Sequence, residues 1–348
     1  MNPYVLMVLL SSLGLGTTLT FASSHWLLAW MGLEINTLAI VPLMAQHHHP
    51  RAVEATTKYF LTQATAAAMI LFASTTNAWI TGGWDMNNMS NPIASAMIVT
   101  ALALKIGLAP MHFWMPEVLQ GLDLLTGLIL STWQKLAPLT LILQTAQAVD
   151  PLLLTAFGLM STLIGGWGGL NQTQLRKVLA YSSIAHMGWM IIVLQYAPQL
   201  TLLALLTYIF MTSAAFLTLK ISSATKVSTL AVVWSKSPIL TATTALVLLS
   251  LGGLPPLTGF MPKWLILQEL AKQDLPLTAT VMALAALLSL YFYLRLCYAM
   301  TLTISPNTTA ATTPWRIRVT QASLPLALFT TVALGLLPVS PTITMLVT

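Results

Sequence analysis

The fold is decided by two similar stretches of the sequence, GLAPMHFWMPE at residues 107–117 and GLPPLTGFMPK at residues 253–263. They lie 146 residues apart, and five of their eleven aligned positions are identical. Each stretch places two prolines six residues apart inside a long apolar run. Because proline removes a backbone donor and clashes with the preceding helical turn, we expect each stretch to break a helix.

The composition around these stretches is that of a membrane protein. Of the 348 residues, 57% are hydrophobic and only 6% are charged, whereas a soluble domain has roughly 25% charged residues. Apolar runs of about 20 residues, the length of a membrane-spanning helix, recur along the chain. The net charge of +6 is too sparse for a nucleic-acid-binding surface, and the single cysteine, Cys297, excludes an internal disulfide.

The hydropathy pattern predicts an all-α bundle of about eleven transmembrane spans in one integral membrane domain, residues 1–348. Its longest connections, near residues 222–238 and 304–321, are rich in Ser, Thr and Pro. The spans lie near residues 3–21, 25–43, 56–80, 93–120 with a break, 122–144, 151–170, 178–196, 200–221, 239–272 with a break, 275–303 and 322–338.

The two breaks predict an internal repeat. They fall in the fourth and ninth spans, which run in opposite directions because they are an odd number of spans apart. We therefore expect two inverted five-helix repeats, roughly residues 3–144 and 151–303, followed by a final helix at 322–338. Broken helices in inverted repeats are typical of transporters. A packing kink is the alternative for a single break, but the inverted pair favours transport.

The loop charges predict the orientation. Loops after even-numbered spans carry most of the basic residues, and the opposite loops carry acidic residues with one lysine at a helix end. Because basic loops stay on the inner side of a membrane, we expect the N-terminus on that side and the C-terminus on the other. The basic loop residues are Arg51, Arg176, Lys177, Lys226, Lys236, Arg316 and Arg318, and the opposite loops carry Asp85, Asp150, Asp274 and Lys272.

Charged residues inside the spans are the candidate functional groups. Each costs about 2.5–3.5 kcal/mol at the centre of a membrane helix, so such residues usually have a function. Those closest to mid-span are Glu34, Lys105, Lys135 and Lys263. We interpret these four residues as a mid-membrane proton relay.

Histidines offer further candidates. His112 lies in the first break and His186 in the seventh span, and each is either a relay group or a hydrogen-bonded core histidine. The run at residues 47–49 has no carboxylate or cysteine companion, so we expect no metal site there. The remaining charges inside spans lie toward helix ends, where long side chains reach the membrane surface; examples are Lys58, Lys220 and Arg295.

Buried amines near a carboxylate suit proton transfer. Burial disfavours the charged form of an amine and a nearby carboxylate favours it. Such a pair at ~4 Å is worth about 4 kcal/mol at an effective dielectric constant of ~20, comparable with the ~2.3 kcal/mol per 100 mV of moving one charge across a membrane. The alternative, that these charges only hold helices together, does not explain three lysines with one carboxylate.

The sequence resembles the antiporter-like, proton-translocating membrane subunits of respiratory complex I. The resemblance covers the whole chain. It implies that Glu34 is the family's mid-membrane glutamate, Lys105 its lysine partner, Lys135 the connecting lysine and Lys263 the terminal lysine. Its most specific stretches are KIGLAPMHFWMPE at residues 105–117, LRKVLAYSSIAHMG at 175–188 and GGLPPLTGFMPKW at 252–264.

The resemblance also implies a cellular setting. The chain would be a core membrane-arm subunit of NADH:ubiquinone oxidoreductase in the mitochondrial inner membrane, with its basic loops in the matrix. Its partners would be other membrane-arm subunits and lipids, and flavin, iron–sulfur clusters and ubiquinone would be bound by other subunits. The first helices of the wider family pattern have no counterpart in this sequence, so their partner contacts are not carried over. Two alternatives stay open, an Mrp-like cation/proton antiporter and a structural spacer subunit with inert buried charges.

Overall fold

The computed structural model describes residues 2–46, 48–86, 88–302 and 323–347. In these ranges the chain is helical apart from its loops and two isolated β-bridges, which confirms the predicted fold class. The helices are α1 (Pro3–Ala22), α2 (Trp26–Met44), α3 (Pro50–Thr81), α4 (Pro92–Ile106), α5 (Trp114–Gly121), α6 (Leu124–Ser131), α7 (Trp133–Thr145), α8 (Pro151–Gly168), α9 (Leu175–Val193), α10 (Pro198–Ile221), α11 (Val227–Lys236), α12 (Pro238–Gly252), α13 (Phe260–Lys272), α14 (Pro276–Thr301), α15 (Leu324–Gly335) and α16 (Ser340–Val347).

Several helices have the length and composition to cross a membrane unaided. These are α1, α2, α8, α10 and α14, and three further apolar helices, α4, α12 and α15, are shorter. The predicted span bounds follow the helix bounds to within a few residues, except that α3 begins at Pro50 rather than near residue 56. The full count of eleven spans stays a prediction.

Both predicted breaks are present, between α4 and α5 and between α12 and α13. Each half-helix ends at a glycine with the same left-handed backbone, Gly107 at φ 84° and Gly253 at φ 83°. In each case the following N–H reaches back five residues, from Leu108 to Ala103 and from Leu254 to Leu249. This hydrogen bond is that of a Schellman helix end, which favours glycine because the conformation is strained for other residues.

Two features differ from the predicted pattern. The fifth span is interrupted at Thr132, between α6 and α7, where the Thr132 hydroxyl donates to the Leu128 carbonyl at 2.7 Å. The segment at residues 222–238, expected as a loop, contains the short helix α11, whose start is capped by the Thr229 hydroxyl accepting from the Lys226 N–H at 3.1 Å. The other long connection, residues 304–321, lies outside the described residues.

The chain divides into two compact units, Met1–Ser161 and Thr162–Thr348. In the first unit α2 packs against α1 and α3, and α4 packs against α3 and α7. The backbones of α1 and α2 meet at Gly16 and Gly32, where a Cβ on either would lie within 3 Å of the other's carbonyl oxygen. In the second unit α9 contacts both α13 and α14. The predicted single domain and the exact repeat bounds stay predictions.

Candidate functional site

The first unit encloses a cavity of about 10 Å³, close to the space that one water molecule needs. We call it the first cavity. It is lined by residues from each of the helices α2 to α7 and brings together two of the predicted lysines, Lys105 and Lys135. Its polar lining residues are Asn36, Thr37, Tyr59, Gln63, Lys105, Gln134 and Lys135.

Lys105 lies in the last turn of α4 and is 6% exposed. Among the described residues its Nζ has no hydrogen-bond partner. Its amine interacts electrostatically with Glu34, which is half-buried in α2 and accepts a hydrogen bond from the Thr37 hydroxyl at 3.4 Å. Glu34 and Lys105 therefore interact without a direct hydrogen bond.

Lys135 is 2% exposed and lies in the first turn of α7, just after the interruption at Thr132. Its backbone N–H donates a long hydrogen bond to the Thr132 carbonyl, at 3.4 Å. Pro138, one turn later, has no N–H to donate to the Gln134 carbonyl. The buried Lys135 therefore lies where helical hydrogen bonding is weakened both before it, at Thr132, and after it, at Pro138.

His112 is buried in the first break but does not line the first cavity. Its Nδ1 lies 3.2 Å from the Pro110 carbonyl oxygen, and its ring contacts Phe113. A carbonyl oxygen can only accept, so Nδ1 carries the proton in this contact. The structure does not bring His112 together with the two lysines in one cavity, and its part in a relay stays a prediction.

The second unit encloses another cavity of about 10 Å³, the second cavity. It brings together two predicted candidates, Lys263 from α13 and His186 from α9. The half-buried His186 ring lies 5.4 Å from the ring of Tyr208, measured between centroids. The other lining residues are Ser182, Ala185, Trp189, Ser289 and Tyr293.

Lys263 is held by a backbone carbonyl. Its Nζ donates to the Gly252 carbonyl oxygen at 2.8 Å, which is one of the acceptors that the end of α12 leaves free. The side chain lies against Gly253, where a Cβ would stand 2.9 Å from Nζ. The break therefore supplies both the acceptor and the space for this amine.

Lys58, predicted to reach the membrane surface from a helix end, forms two ion pairs. Its amine lies 2.7 Å from a carboxylate oxygen of Glu54 and 2.7 Å from one of Glu117, and all three side chains are largely exposed. Glu117 occupies the repeat position equivalent to Lys263, so the two breaks place opposite charges in different surroundings. His48 and His49 are exposed, and His47 lies outside the described residues.

Sequence reasoning missed several polar residues of both cavities. Asn36, Gln63 and Gln134 are amides inside apolar helices, and that signal was available in the sequence. Among the described residues, both amide atoms of Asn36 are buried without a hydrogen-bond partner. Tyr59 and Tyr293 gave no such signal, because tyrosine is common in membrane helices and only the packing shows where its hydroxyl lies.

The chain is similar to known proteins along nearly its whole length. Residues 23–289 match the family model described as NADH:quinone oxidoreductase/Mrp antiporter, transmembrane, and residues 290–344 match NADH dehydrogenase subunit 2 C-terminus. The chain is 84% identical to NADH-ubiquinone oxidoreductase chain 2 of Carassius auratus and 77% identical to that of Danio rerio, and each alignment covers 100% of both chains. The chain belongs to the NADH-ubiquinone oxidoreductase chain 2 family. The family resemblance found in the sequence is thereby confirmed.

Solved structures share the fold of this NADH-ubiquinone oxidoreductase chain 2 family member. A chain of respiratory complex I from Thermus thermophilus with bound Aureothin superposes with a TM-score of 0.82 and 28% identity, covering 97% of this chain and 80% of that chain. A chain of an archaeal membrane-bound sulfane sulfur reductase superposes with a TM-score of 0.84 at 18% identity, covering 97% and 73%. The second likeness concerns the fold alone.

Proposed function

We propose that this chain, a core membrane-arm subunit of NADH:ubiquinone oxidoreductase, translocates protons through Glu34, Lys105, Lys135 and Lys263. The observation that carries the proposal is the pair of water-sized cavities, one in each unit, that contain these lysines. Electron transfer through flavin, iron–sulfur clusters and ubiquinone would take place in other subunits. This chain would respond to it by changing the protonation of its lysines.

In the first unit the proton-carrying groups are Lys105 and Lys135, with Glu34 as the nearby counter-charge. The Lys105 amine has no hydrogen-bond partner among the described residues, so it can exchange its proton with a water molecule in the cavity. The interaction with Glu34 changes in strength when either group moves, because it is not fixed by a direct hydrogen bond. Such a change would load or release a proton on Lys105.

In the second unit Lys263 would be the terminal proton carrier. The Gly252 carbonyl stabilises its protonated form by one hydrogen bond, and the second cavity gives it access to a water molecule and to His186. No carboxylate lines this cavity among the described residues. A proton on Lys263 is therefore held by a neutral acceptor, from which it is released more readily than from an ion pair.

The setting we propose is the mitochondrial inner membrane, with the N-terminus in the matrix and the C-terminus in the intermembrane space. The alternating loop charges support this orientation. The vertebrate relatives support the location. Membrane-arm subunits of the same complex and inner-membrane lipids would be the partners.

The two alternatives explain the observations less well. An Mrp-like antiporter would use similar lysines, but it does not account for the match of residues 290–344 to a subunit 2 C-terminus. A structural spacer with inert charges would be expected to pair its buried lysines. Lys105 has no hydrogen-bond partner among the described residues, which favours a working group.

Replacing Lys105 tests the proposal. In the complex reconstituted into liposomes, we expect Lys105→Met to assemble, because Met fits the stem's space, and to abolish most NADH-driven proton uptake through this subunit. Lys58→Met is the matched control, since Lys58 lies in the same unit but is exposed and ion-paired. Normal numbers of protons per NADH in Lys105→Met would refute the proposed role.

A further inference from the structure

Three hydroxyl groups line the second cavity, and they differ in what their protons do. Ser182 donates its proton to the Leu179 carbonyl and Ser289 donates to the Ala286 carbonyl, each at 2.8 Å. The Tyr293 hydroxyl is buried and interacts with the Ser182 side chain, but it makes no hydrogen bond of standard length and angle with any described residue. Its side chain is 1% exposed. Among these hydroxyls, only that of Tyr293 has a proton not already given to a helix carbonyl.

Tyr293 lies beside the group that holds Lys263. A Cβ on Gly252 would stand 3.7 Å from Cδ2 of Tyr293, so the tyrosine ring packs near that backbone. The carbonyl of the same glycine accepts the hydrogen bond from Lys263 Nζ at 2.8 Å. His186 lines the same cavity from α9. The hydroxyl thus shares a water-sized space with an amine and an imidazole.

Packing alone does not require this hydroxyl. Burying a hydroxyl without a partner is unfavourable, and an apolar group of the same shape avoids that penalty. Phenylalanine has this shape, and it occupies the neighbouring position, Phe292, which is fully buried. A phenol, unlike a phenyl ring, can accept one proton while it donates another.

We propose that the hydroxyl of Tyr293 carries protons between Lys263 and His186, an inference that rests on the proposed function. The imidazolium of His186 gives a proton to the phenol oxygen while the original phenol proton passes to the neutral amine of Lys263. One water molecule, for which the cavity has room, completes the contact where the groups do not touch. The products are a neutral imidazole, an intact tyrosine and an ammonium ion, so one proton has moved and the charges balance.

The decisive variant is Tyr293→Phe in the complex reconstituted into liposomes. It removes one oxygen atom and keeps the ring against Gly252, so we expect normal assembly and thermal stability. NADH-driven proton uptake should fall by at least about 10-fold, because a positioned proton-transfer group usually contributes about 100- to 10,000-fold. The solvent deuterium isotope effect on uptake should rise, which a purely structural role would not cause. Tyr298→Phe is the matched control, because Tyr298 lies on the same helix but is 56% exposed.

Lys263→Met, measured alongside, separates the proposed role of Tyr293 from the proposed function of the chain. If Lys263→Met is impaired while Tyr293→Phe has wild-type uptake and isotope effect, the role of Tyr293 is refuted and the proposed function stands. If Lys263→Met pumps normally, the proposed function fails at this site and the Tyr293 proposal fails with it. If the Tyr293→Phe complex does not assemble, the hydroxyl is structural and the proposal is overturned.

Discussion

Three of the lysine amines in the described residues are held in three different ways. Lys58 is exposed and contacts two carboxylates, and water can also solvate its charge. Lys263 donates to a single backbone carbonyl. The Lys105 amine is buried without a hydrogen-bond partner among the described residues. Burying such a charge is unfavourable unless the group loses its proton, so of these three lysines Lys105 is the one whose position most requires a functional explanation.

At this scale we predict the effect of Glu34→Gln. The amide fits the same space but removes the negative charge that interacts with Lys105. We expect assembly to persist and NADH-driven proton uptake to fall severalfold, because Lys105 can then no longer be switched by its counter-charge. Uptake measured in liposomes tests this, with Glu117→Gln as the control that removes an exposed, ion-paired carboxylate. Normal pumping by Glu34→Gln would mean that the carboxylate only stabilises the helix packing.

A second residue-scale prediction concerns Lys263. Lys263→Met should fold and assemble, because Met nearly matches the stem and removes a charge from the cavity, but proton uptake should be impaired. Lys263→Arg should fail in the same assay for the opposite reason, since its guanidinium keeps its proton near neutral pH. Wild-type proton stoichiometry in both variants would exclude Lys263 from the proton path.

At the scale of the helices, the two breaks have the same backbone geometry, but a different type of side chain donates a hydrogen bond to the free carbonyl in each. Both half-helices end in the same Schellman geometry at a glycine. In the first break the indole of Trp114 donates to the Leu104 carbonyl at 3.0 Å. In the second break Lys263 donates to the Gly252 carbonyl at 2.8 Å. The same backbone geometry therefore has a neutral indole donor in one unit and a titratable amine donor in the other.

Because Lys263 is the donor in the second break, the geometry there predicts the effect of Gly253→Ala. A left-handed alanine is strained by about 1–2 kcal/mol, and its Cβ would also stand 2.9 Å from Lys263 Nζ, so the flexible amine should move off the Gly252 carbonyl. Gly82→Ala is the control, because Gly82 is also left-handed (φ 73°) but has no atom within 4 Å of the added Cβ. Both variants should lower the thermal midpoint of the complex similarly, and only Gly253→Ala should reduce proton uptake. Equal uptake in the two would show that the amine's position is unimportant.

The sequence predicted most of the elements but only two lining residues of each cavity, for physical reasons. Prolines and a left-handed glycine mark a break locally, so both breaks could be read from the sequence. The interruption at Thr132 could not, because its only cue is Pro138, six residues later. α11 is too short to span a membrane, so a hydropathy reading passes over it. The buried charges stood out by their cost in lipid, whereas the place of the Tyr293 hydroxyl depends on three helices packing together.

At the scale of the whole molecule, crossing the membrane requires the broken helices to act as single spans. α12 has 15 residues and α13 has 13, which at 1.5 Å per residue gives lengths of about 22 Å and 20 Å. Neither reaches the ~30 Å of the hydrocarbon core, but together, with the break between them, they do. The break then lies at membrane depth, where its free carbonyls need buried partners or water. Lys263 and the second cavity provide both.

The last prediction follows from this crossing and from the positive-inside rule. Ser228 in α11 and Gln273 after α13 are both exposed and flank the broken span. The single cysteine of the chain, Cys297, is buried, so a Cys297→Ser background allows each flanking position to be replaced by cysteine in turn. With a membrane-impermeant maleimide, Ser228→Cys should react in inverted inner-membrane vesicles, which expose the matrix side, and Gln273→Cys should react in mitoplasts. Reversed labelling would overturn the proposed orientation, and labelling of both positions from one side would show that α12 and α13 do not form a single crossing.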